Sequence, residues 1–160
     1  MIVVVMGVSG SGKTTIGRLL AAHLGCAFLD GDDFHPPASV AKMKAGTPLD
    51  DEDRWPWLGK LNDLLRQAGQ RGEDAVLACS ALKQTYRDAL ARGLPRCMFV
   101  FLNGSIELIR SRLDERRHRY MPASLLESQF AALEPPARAI SVNIDQTPQR
   151  CVEGIIAALI

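Results

Sequence analysis

The chain has 160 residues, of which 47% are hydrophobic, and a formal net charge of +1. One domain of this length can bury a full core, and the balanced charge gives no electrostatic reason to expect nucleic acid or an anionic membrane as a partner. No apolar stretch approaches the length of a membrane-spanning helix, which is about 18 residues, and the start has no signal-peptide pattern. The four scattered cysteines favour reduced thiols. We therefore expect one cytoplasmic domain over residues 1–160.

The chain opens with a strand, a glycine-rich loop and a helix. The apolar run Ile2–Met6 predicts the strand, and Thr14–Leu24 has the spacing of a helix. Between them, residues 7–14 (GVSGSGKT) match G-x-x-x-x-G-K-[ST] at every fixed position. Glycines let such a loop turn its N–H groups toward one point, where the dipole of the following helix adds positive potential. This context predicts a phosphate-binding loop (P-loop) for a nucleoside triphosphate, rather than a glycine turn without a ligand.

The P-loop motif gives roles to individual side chains. We expect Lys13 to reach the β- and γ-phosphates and to act in catalysis, and the Thr14 hydroxyl to ligate Mg²⁺. The predicted nucleotide-binding residues are Gly7, Val8, Ser9, Gly10, Ser11, Gly12, Lys13, Thr14 and Thr15.

The second predicted strand, Ala27–Leu29, ends at the carboxylates Asp30 and Asp32. In phosphoryl transfer, one carboxylate can hold Mg²⁺, usually through water, and another can orient or deprotonate the acceptor hydroxyl. The alternative is an acidic turn that caps the next element, which Asp-Gly forms easily. With a P-loop upstream, the pattern favours the functional interpretation.

The next predicted elements are two helices, Ser39–Lys44 and Asp51–Gln70, and a third strand, Ala75–Cys79. Polar and basic residues gather around these elements. A cluster of this kind suits a small, hydroxylated, anionic acceptor, although each residue taken alone is typical of a solvated surface. The cluster comprises His35, Lys42, Arg54, Ser80, Lys83 and Arg87.

The rest of the chain alternates helices and strands. The predicted elements are helix Gln84–Ala91, strand Met98–Leu102, helices Ile106–Arg116 and Ser124–Leu133, strand Ile140–Ile144 and helix Gln149–Leu159. This alternation predicts a three-layer α/β fold, with a five-stranded parallel sheet between helices, similar to the P-loop nucleoside-monophosphate kinases. Ligands bind at the carboxyl ends of such strands, where the motifs above lie.

Residues 109–119, IRSRLDERRHR, contain five arginines. We interpret residues 115–123 as a lid whose arginines fold over the nucleotide and stabilise developing charge. Arg112 and Arg116 are the predicted catalytic arginines, since a spacing of four places them on one helix face. The alternative is a solvated basic helix end, because the helix dipole favours positively charged side chains at the C-terminus of a helix.

Three segments carry a resemblance to a known family: LDGDDFHPPASVAKMKAGTPLDDEDRWPWL at 29–58, CSALKQTYRD at 79–88 and SQFAALEPP at 128–136. They resemble the gluconokinases, and the similarity runs from Val4 to about Asp145. It implies a P-loop sugar-acid kinase of the shikimate-kinase-like group. Such an enzyme uses ATP and Mg²⁺ to convert D-gluconate to 6-phospho-D-gluconate in gluconate utilization.

The resemblance also implies residue roles. Asp32 would be the base that accepts or orients the 6-hydroxyl, and Asp30 would belong to the Mg²⁺ shell. The implied substrate-binding residues are Asp32, His35, Arg54, Ser80, Lys83 and Arg87. The partners would be ATP and gluconate, and dimers are common in the family, although the sequence identifies no interface patch.

Three positions, in two segments, depart from the family pattern. Ser39 stands where members commonly have Asn, and it could also cap a helix. His118 and Arg119 stand where members usually have Gly and His. Two rival interpretations stay open: a related P-loop kinase for shikimate, adenylylsulfate or a nucleoside monophosphate, and a nucleotide-dependent regulatory module without catalysis.

Overall fold

The computed structural model describes residues 1–115 and 123–160, and it confirms the three-layer α/β fold. The described strands are β1 Ile2–Met6, β2 Ala27–Asp30, β3 Ala75–Ala78, β4 Cys97–Asn103 and β5 Ile140–Asn143. The described helices are α1 Lys13–Leu24, α2 Pro37–Lys44, α3 Asp51–Gln70, α4 Gln84–Ala91, α5 Ile106–Glu115, α6 Ala123–Ala132 and α7 Pro148–Leu159.

The strands form one parallel sheet in the order β2-β3-β1-β4-β5. Strand β1 lies at its centre, where Val4 pairs with Leu77 of β3 and with Phe99 of β4. Because all pairings are parallel, the carboxyl ends of the strands lie at one edge of the sheet. The segments that follow β1, β2 and β3 therefore meet there.

The alternation of side chains along β1 builds a core on each face of the sheet. Val3 and Val5 pack on one face, with residues such as Leu20 of α1 and Ile155 of α7. Val4 packs on the other face, with α3 and α4 residues that include Leu61, Leu65 and Leu90. The buried strands need apolar residues on both faces, which explains the unbroken apolar run at 2–6.

Helix α3 begins with a reciprocal capping box. The Asp53 N–H donates to Asp50 Oδ1 at 2.8 Å, and the Asp50 N–H donates to Asp53 Oδ2 at 3.0 Å. Lys42 of α2 donates to both carboxylate oxygens of Asp53, at 3.0 and 2.8 Å. These bonds hold α2 against the start of α3, so the two helices form one wall beside the sheet edge.

The predicted elements are all present, with described ends that differ by up to two residues; the predicted helix end at Arg116 lies outside the described residues. Ser39 is the third residue of α2 and Pro36 occupies the cap position, so the prediction that Ser39 caps this helix is wrong. A short 3-10 helix, Gly31–Phe34, follows β2 and was not predicted. Within the described ranges, no helix is both long and apolar enough to cross a membrane.

Candidate active site

A cavity of about 590 Å³ lies at the carboxyl edge of the sheet. The P-loop, the 3-10 helix, α2 and the start of α3 contribute to its wall, together with the turn after β3 and one side each of α5 and α6. The sequence-predicted residues that line it are Ser9, Gly10, Gly12, Lys13, Thr14, Thr15, Asp32, His35, Arg54 and Ser80. The structure thus brings the predicted nucleotide loop and most of the predicted acceptor groups to one cavity.

The P-loop needs glycine where its backbone turns. Gly10 has φ 82°, and a Cβ there would lie 2.9 Å from the Leu113 side chain. Gly12 has φ 99° and precedes the first residue of α1. Glycine has no side chain that could cap the helix, so the first N–H groups of α1 remain for an anionic ligand.

Three side chains around the start of α1 are linked in the structure. Lys13 Nζ donates to the Val8 carbonyl at 3.0 Å, which folds this lysine back over the loop. Thr14 Oγ1 donates to Asp30 Oδ2 at 3.0 Å, and the Asp32 N–H donates to Asp30 Oδ1 at 3.1 Å. Asp30 is therefore fixed from two sides, with its carboxylate beside the Thr14 hydroxyl.

The Thr14 and Asp30 oxygens fit a hard cation such as Mg²⁺, which prefers oxygen ligands. Among the described residues, no group of three or more His, Cys, Asp or Glu side chains is arranged for a metal ion. A site with few protein ligands is typical of Mg²⁺ that is bound together with phosphates and water.

Asp32 extends into the cavity from the 3-10 helix, with 71% of its side chain exposed. His35 Nε2 lies 3.6 Å from Asp32 Oδ1, and the His35 ring stacks on Trp57 with centroids 4.0 Å apart. Trp57 is buried, and its Nε1 donates to the Gly31 carbonyl at 2.7 Å. The indole thus fixes both the imidazole and the backbone next to Asp32.

Arg54 lines the cavity from the first turn of α3. Its guanidinium carbon lies 5.2 Å from the centre of the Tyr86 ring, within range of a cation–π contact. The Tyr86 hydroxyl donates to Asp51, and this bond lowers the pKa of the Asp51 carboxyl. Burial, and then the bond to Asp51, raise the pKa of Tyr86, so the ring stays neutral beneath the arginine.

Lys83 does not line the cavity. Its Nζ lies 3.3 Å from Asp51 Oδ1 and 5.6 Å from the centre of the Tyr86 ring. We call the part of the cavity lined by Asp32, His35 and Arg54 the acceptor wall; Lys83 lies beside it, next to the residues that support Arg54. Its predicted contact with the acceptor stays a prediction.

Arg87 is buried and does not line the cavity either. Its Nη1 donates to the carbonyls of Ala81 and Leu82 at 2.7 and 3.2 Å, and its Nη2 donates to the Glu134 carbonyl at 2.8 Å. Ala81 has φ 46°, a left-handed conformation that is costly for a residue with a Cβ. Arg87 braces this turn, which places Ser80 in the cavity wall. Burial lowers the pKa of the Arg87 guanidinium.

The two predicted catalytic arginines are placed differently. Arg112 lies in α5 and donates to the Ile144 carbonyl, and it does not line the cavity. Arg116 lies outside the described residues, as do residues 116–122 of the predicted lid, which include the His118–Arg119 departure. The catalytic roles of both arginines stay predictions.

Helix α6 contributes a wall that the sequence reasoning missed. Leu125, Ser128, Gln129 and Ala132 line the cavity, and their spacing of three and four places them on one helix face. Gln129 contacts Ser9 of the P-loop at two points. The available signal was a polar pair, Ser128-Gln129, on a helix whose other residues are mostly apolar.

Comparisons with known proteins cover nearly the whole chain. The family model described as Shikimate kinase matches residues 9–152. The thermosensitive gluconokinase of Escherichia coli (strain K12) is 43% identical in an alignment of 162 positions, which covers 96% of this chain and 87% of that protein. The gluconokinase of Gluconobacter oxydans (strain 621H) is 46% identical, with coverage of 96% and 88%. The crystal structure of a gluconokinase from Sinorhizobium meliloti 1021 is 42% identical, with a TM-score of 0.90 and coverage of 98% and 90%.

Proposed function

This chain belongs to the gluconokinase family, and from that premise we propose that it transfers the γ-phosphoryl group of ATP to the 6-hydroxyl of D-gluconate. The products are ADP and 6-phospho-D-gluconate. One observation carries the proposal: the P-loop and the acceptor-side residues Asp32, His35 and Arg54 line the same cavity. A donor and a small acceptor bound there would lie within reach of each other, which phosphoryl transfer requires.

The P-loop holds the donor in this proposal. Its backbone N–H groups and the start of α1 offer hydrogen bonds and positive potential to the phosphates. Lys13, which lies over the loop, turns from the Val8 carbonyl toward the β- and γ-phosphates. The other predicted nucleotide-binding residues bind the phosphates through their backbone amides; they are Gly7, Val8, Ser9, Gly10, Ser11, Gly12 and Thr15.

Thr14 and Asp30 are the residues that would hold Mg²⁺. When bound, Mg²⁺ neutralises charge on the β- and γ-phosphate oxygens. Asp30 also accepts the Asp32 N–H, so the residue that would serve the cation and the residue that serves the acceptor are joined by one hydrogen bond.

Asp32 is the proposed base. Its carboxylate accepts the proton of the 6-hydroxyl as that oxygen forms a bond to the γ-phosphorus, while the bond from the γ-phosphorus to the bridging oxygen of ADP breaks. His35, whose Nε2 lies 3.6 Å from Asp32 Oδ1, contacts the acceptor beside it. Arg54 binds the gluconate carboxylate, since its planar fork matches a carboxylate in a bidentate manner.

The other predicted groups complete the proposal. Ser80 contacts the acceptor from the turn after β3, with Lys83 beside it and Arg87 bracing that turn. Arg112 of α5 and Arg116 of the lid over residues 115–123 stabilise the transferred charge. The kinase acts as a single cytoplasmic domain, and a homodimer would follow the pattern of the family.

A substitution pair tests the role of this site. Asp32→Asn keeps the size of the side chain and removes the base, so we expect kcat with gluconate to fall by about 10²- to 10⁴-fold. The affinity for MgATP should change little. Asp33→Asn is the matched control, because Asp33 is exposed in the same 3-10 helix and does not line the cavity.

The measurements are steady-state kinetics and calorimetric titration with MgATP. An Asp32→Asn variant that keeps nearly full activity would overturn the role of Asp32. An equal loss of activity in Asp33→Asn would indicate damage to the 3-10 helix rather than loss of a base.

A further inference from the structure

Helix α6 contacts the P-loop through one side chain. The Ser9 N–H donates to Gln129 Oε1 at 2.7 Å, and Gln129 Nε2 donates to Ser9 Oγ at 3.1 Å. Both ends of the side-chain amide are thus used on one residue of the loop, which fixes the orientation of the amide and the position of Ser9. Both residues line the cavity.

The chain just beyond α6 is itself anchored. The Glu134 N–H donates to the Leu82 carbonyl at 2.8 Å, and the Gln84 N–H donates to Glu134 Oε1 at 2.8 Å. Arg87 Nη2 donates to the Glu134 carbonyl at 2.8 Å. These bonds tie the end of the helix to the turn after β3, so the helix is a fixed support for the amide that it carries.

The opposite side of the loop rests on α5. Gly10 packs so closely against Leu113 that a Cβ would lie 2.9 Å from that side chain. The loop is therefore held between two helices, although its glycines give it many conformations in the absence of such contacts. Contacts that order a binding loop before its ligand arrives remove the cost of ordering from the binding step.

We propose that Gln129 is a positioning residue for the nucleotide: it holds the P-loop in the shape that binds phosphate. This inference rests on the ATP-binding half of the proposed function, and it is independent of the identity of the acceptor. Gln129 acts through Ser9 and not on the reacting atoms. Its loss therefore weakens the binding of MgATP, while the acceptor groups Asp32 and Arg54 keep their positions.

The test is a double-mutant cycle read by calorimetric titration with MgATP alone. Gln129→Ala removes both hydrogen bonds, and we expect the Kd for MgATP to rise by about tenfold. Ser9→Ala removes only the bond to the hydroxyl, and we expect a rise of about threefold. In the Gln129→Ala background, Ser9→Ala should have no further effect. Glu127→Gln is the control, because Glu127 is exposed on the same helix and pairs with Arg110 of α5.

The outcomes separate this inference from the proposed function. If the wild-type chain does not bind MgATP, the ATP-binding half of the proposed function fails and the inference fails with it. If the wild type binds and Gln129→Ala binds equally well, only the inference is overturned. It is also overturned if the effects of the two substitutions multiply, or if the KM for gluconate rises as much as the Kd for MgATP. Should Gln129→Ala fail to fold, an unchanged Kd in Ser9→Ala overturns it as well.

Discussion

The side chains of His35 and Arg54 each contain a buried nitrogen, Nδ1 and Nε respectively, without a hydrogen-bond partner among the described residues. Leaving such a group unsatisfied costs about 1–3 kcal/mol. Both residues line the cavity beside Asp32. Both nitrogens are sealed from solvent, so a ligand in the cavity would meet other parts of these side chains. The placement of the acceptor here therefore rests on the lining of the cavity by Asp32, His35 and Arg54.

Arg54→Lys tests whether this arginine reads the carboxylate. Lysine keeps the charge and loses the planar fork, so we expect the KM for gluconate to rise by about tenfold, with the KM for ATP unchanged. Steady-state kinetics with each substrate varied in turn measure both constants. Arg66→Lys is the control, since Arg66 lies on the same helix and pairs with Asp63 at the surface. An unchanged KM for gluconate in Arg54→Lys would contradict this assignment.

Single residues differed in how well the sequence predicted them. The P-loop residues were predicted because its function depends on backbone conformation, and glycine at fixed spacing reveals that requirement. Gln129 was missed because its contact with Ser9 spans 120 residues and needs only one ordinary polar side chain. The bracing role of Arg87 depends on the left-handed conformation of Ala81, which nothing in the local sequence requires.

Trp57 of α3 links this helix to the 3-10 helix. The indole of α3 donates to the Gly31 carbonyl and stacks on His35. The geometry around Asp32 therefore depends on a buried residue that would not itself contact gluconate. We expect substitution of Trp57 to change both the stability and the turnover of the enzyme.

Trp57→Phe keeps an aromatic ring and removes the hydrogen bond to Gly31. We expect the free energy of unfolding to fall by about 1–3 kcal/mol, since a buried carbonyl loses its donor and the smaller ring leaves space. The kcat with gluconate should fall as His35 loses its support. Urea unfolding and steady-state kinetics measure the two effects. Trp55→Phe is the matched control, because Trp55 is 38% exposed on the same helix; equal losses in both variants would contradict the role of Trp57.

The helices and strands could be predicted where the spacing of apolar residues within the segment itself indicates the element. Helix α3 and strand β1 were predicted with their observed ends, because each has a strong apolar pattern and a clear boundary. The 3-10 helix was missed because Asp-Gly-Asp-Asp also reads as a turn; the Asp30 carboxylate that caps it comes from the strand before. The orientation of α6 toward the cavity depends on packing that its composition does not specify.

At the scale of the whole molecule, the sheet order decides which loops meet. Strand β3 lies between β1 and β2, so Ser80 reaches the cavity between the P-loop after β1 and the carboxylates after β2. The alternation of elements predicted a parallel sheet with its ligands at the carboxyl edge. It did not predict this order, because strand pairing is a contact between segments far apart in sequence.

The measurement that tests the central claim most directly is ADP release with MgATP against a panel of acceptors. The panel comprises D-gluconate, other aldonic acids, shikimate, AMP and adenylylsulfate. We predict fast, acceptor-dependent release with gluconate and little with the others, because the acceptor wall offers Arg54 to a carboxylate and Asp32 to a hydroxyl. Release with another acceptor but not with gluconate would contradict the claim and leave only the ATP site in place. ATP binding without acceptor-dependent release would instead indicate a nucleotide-dependent module that lacks catalysis.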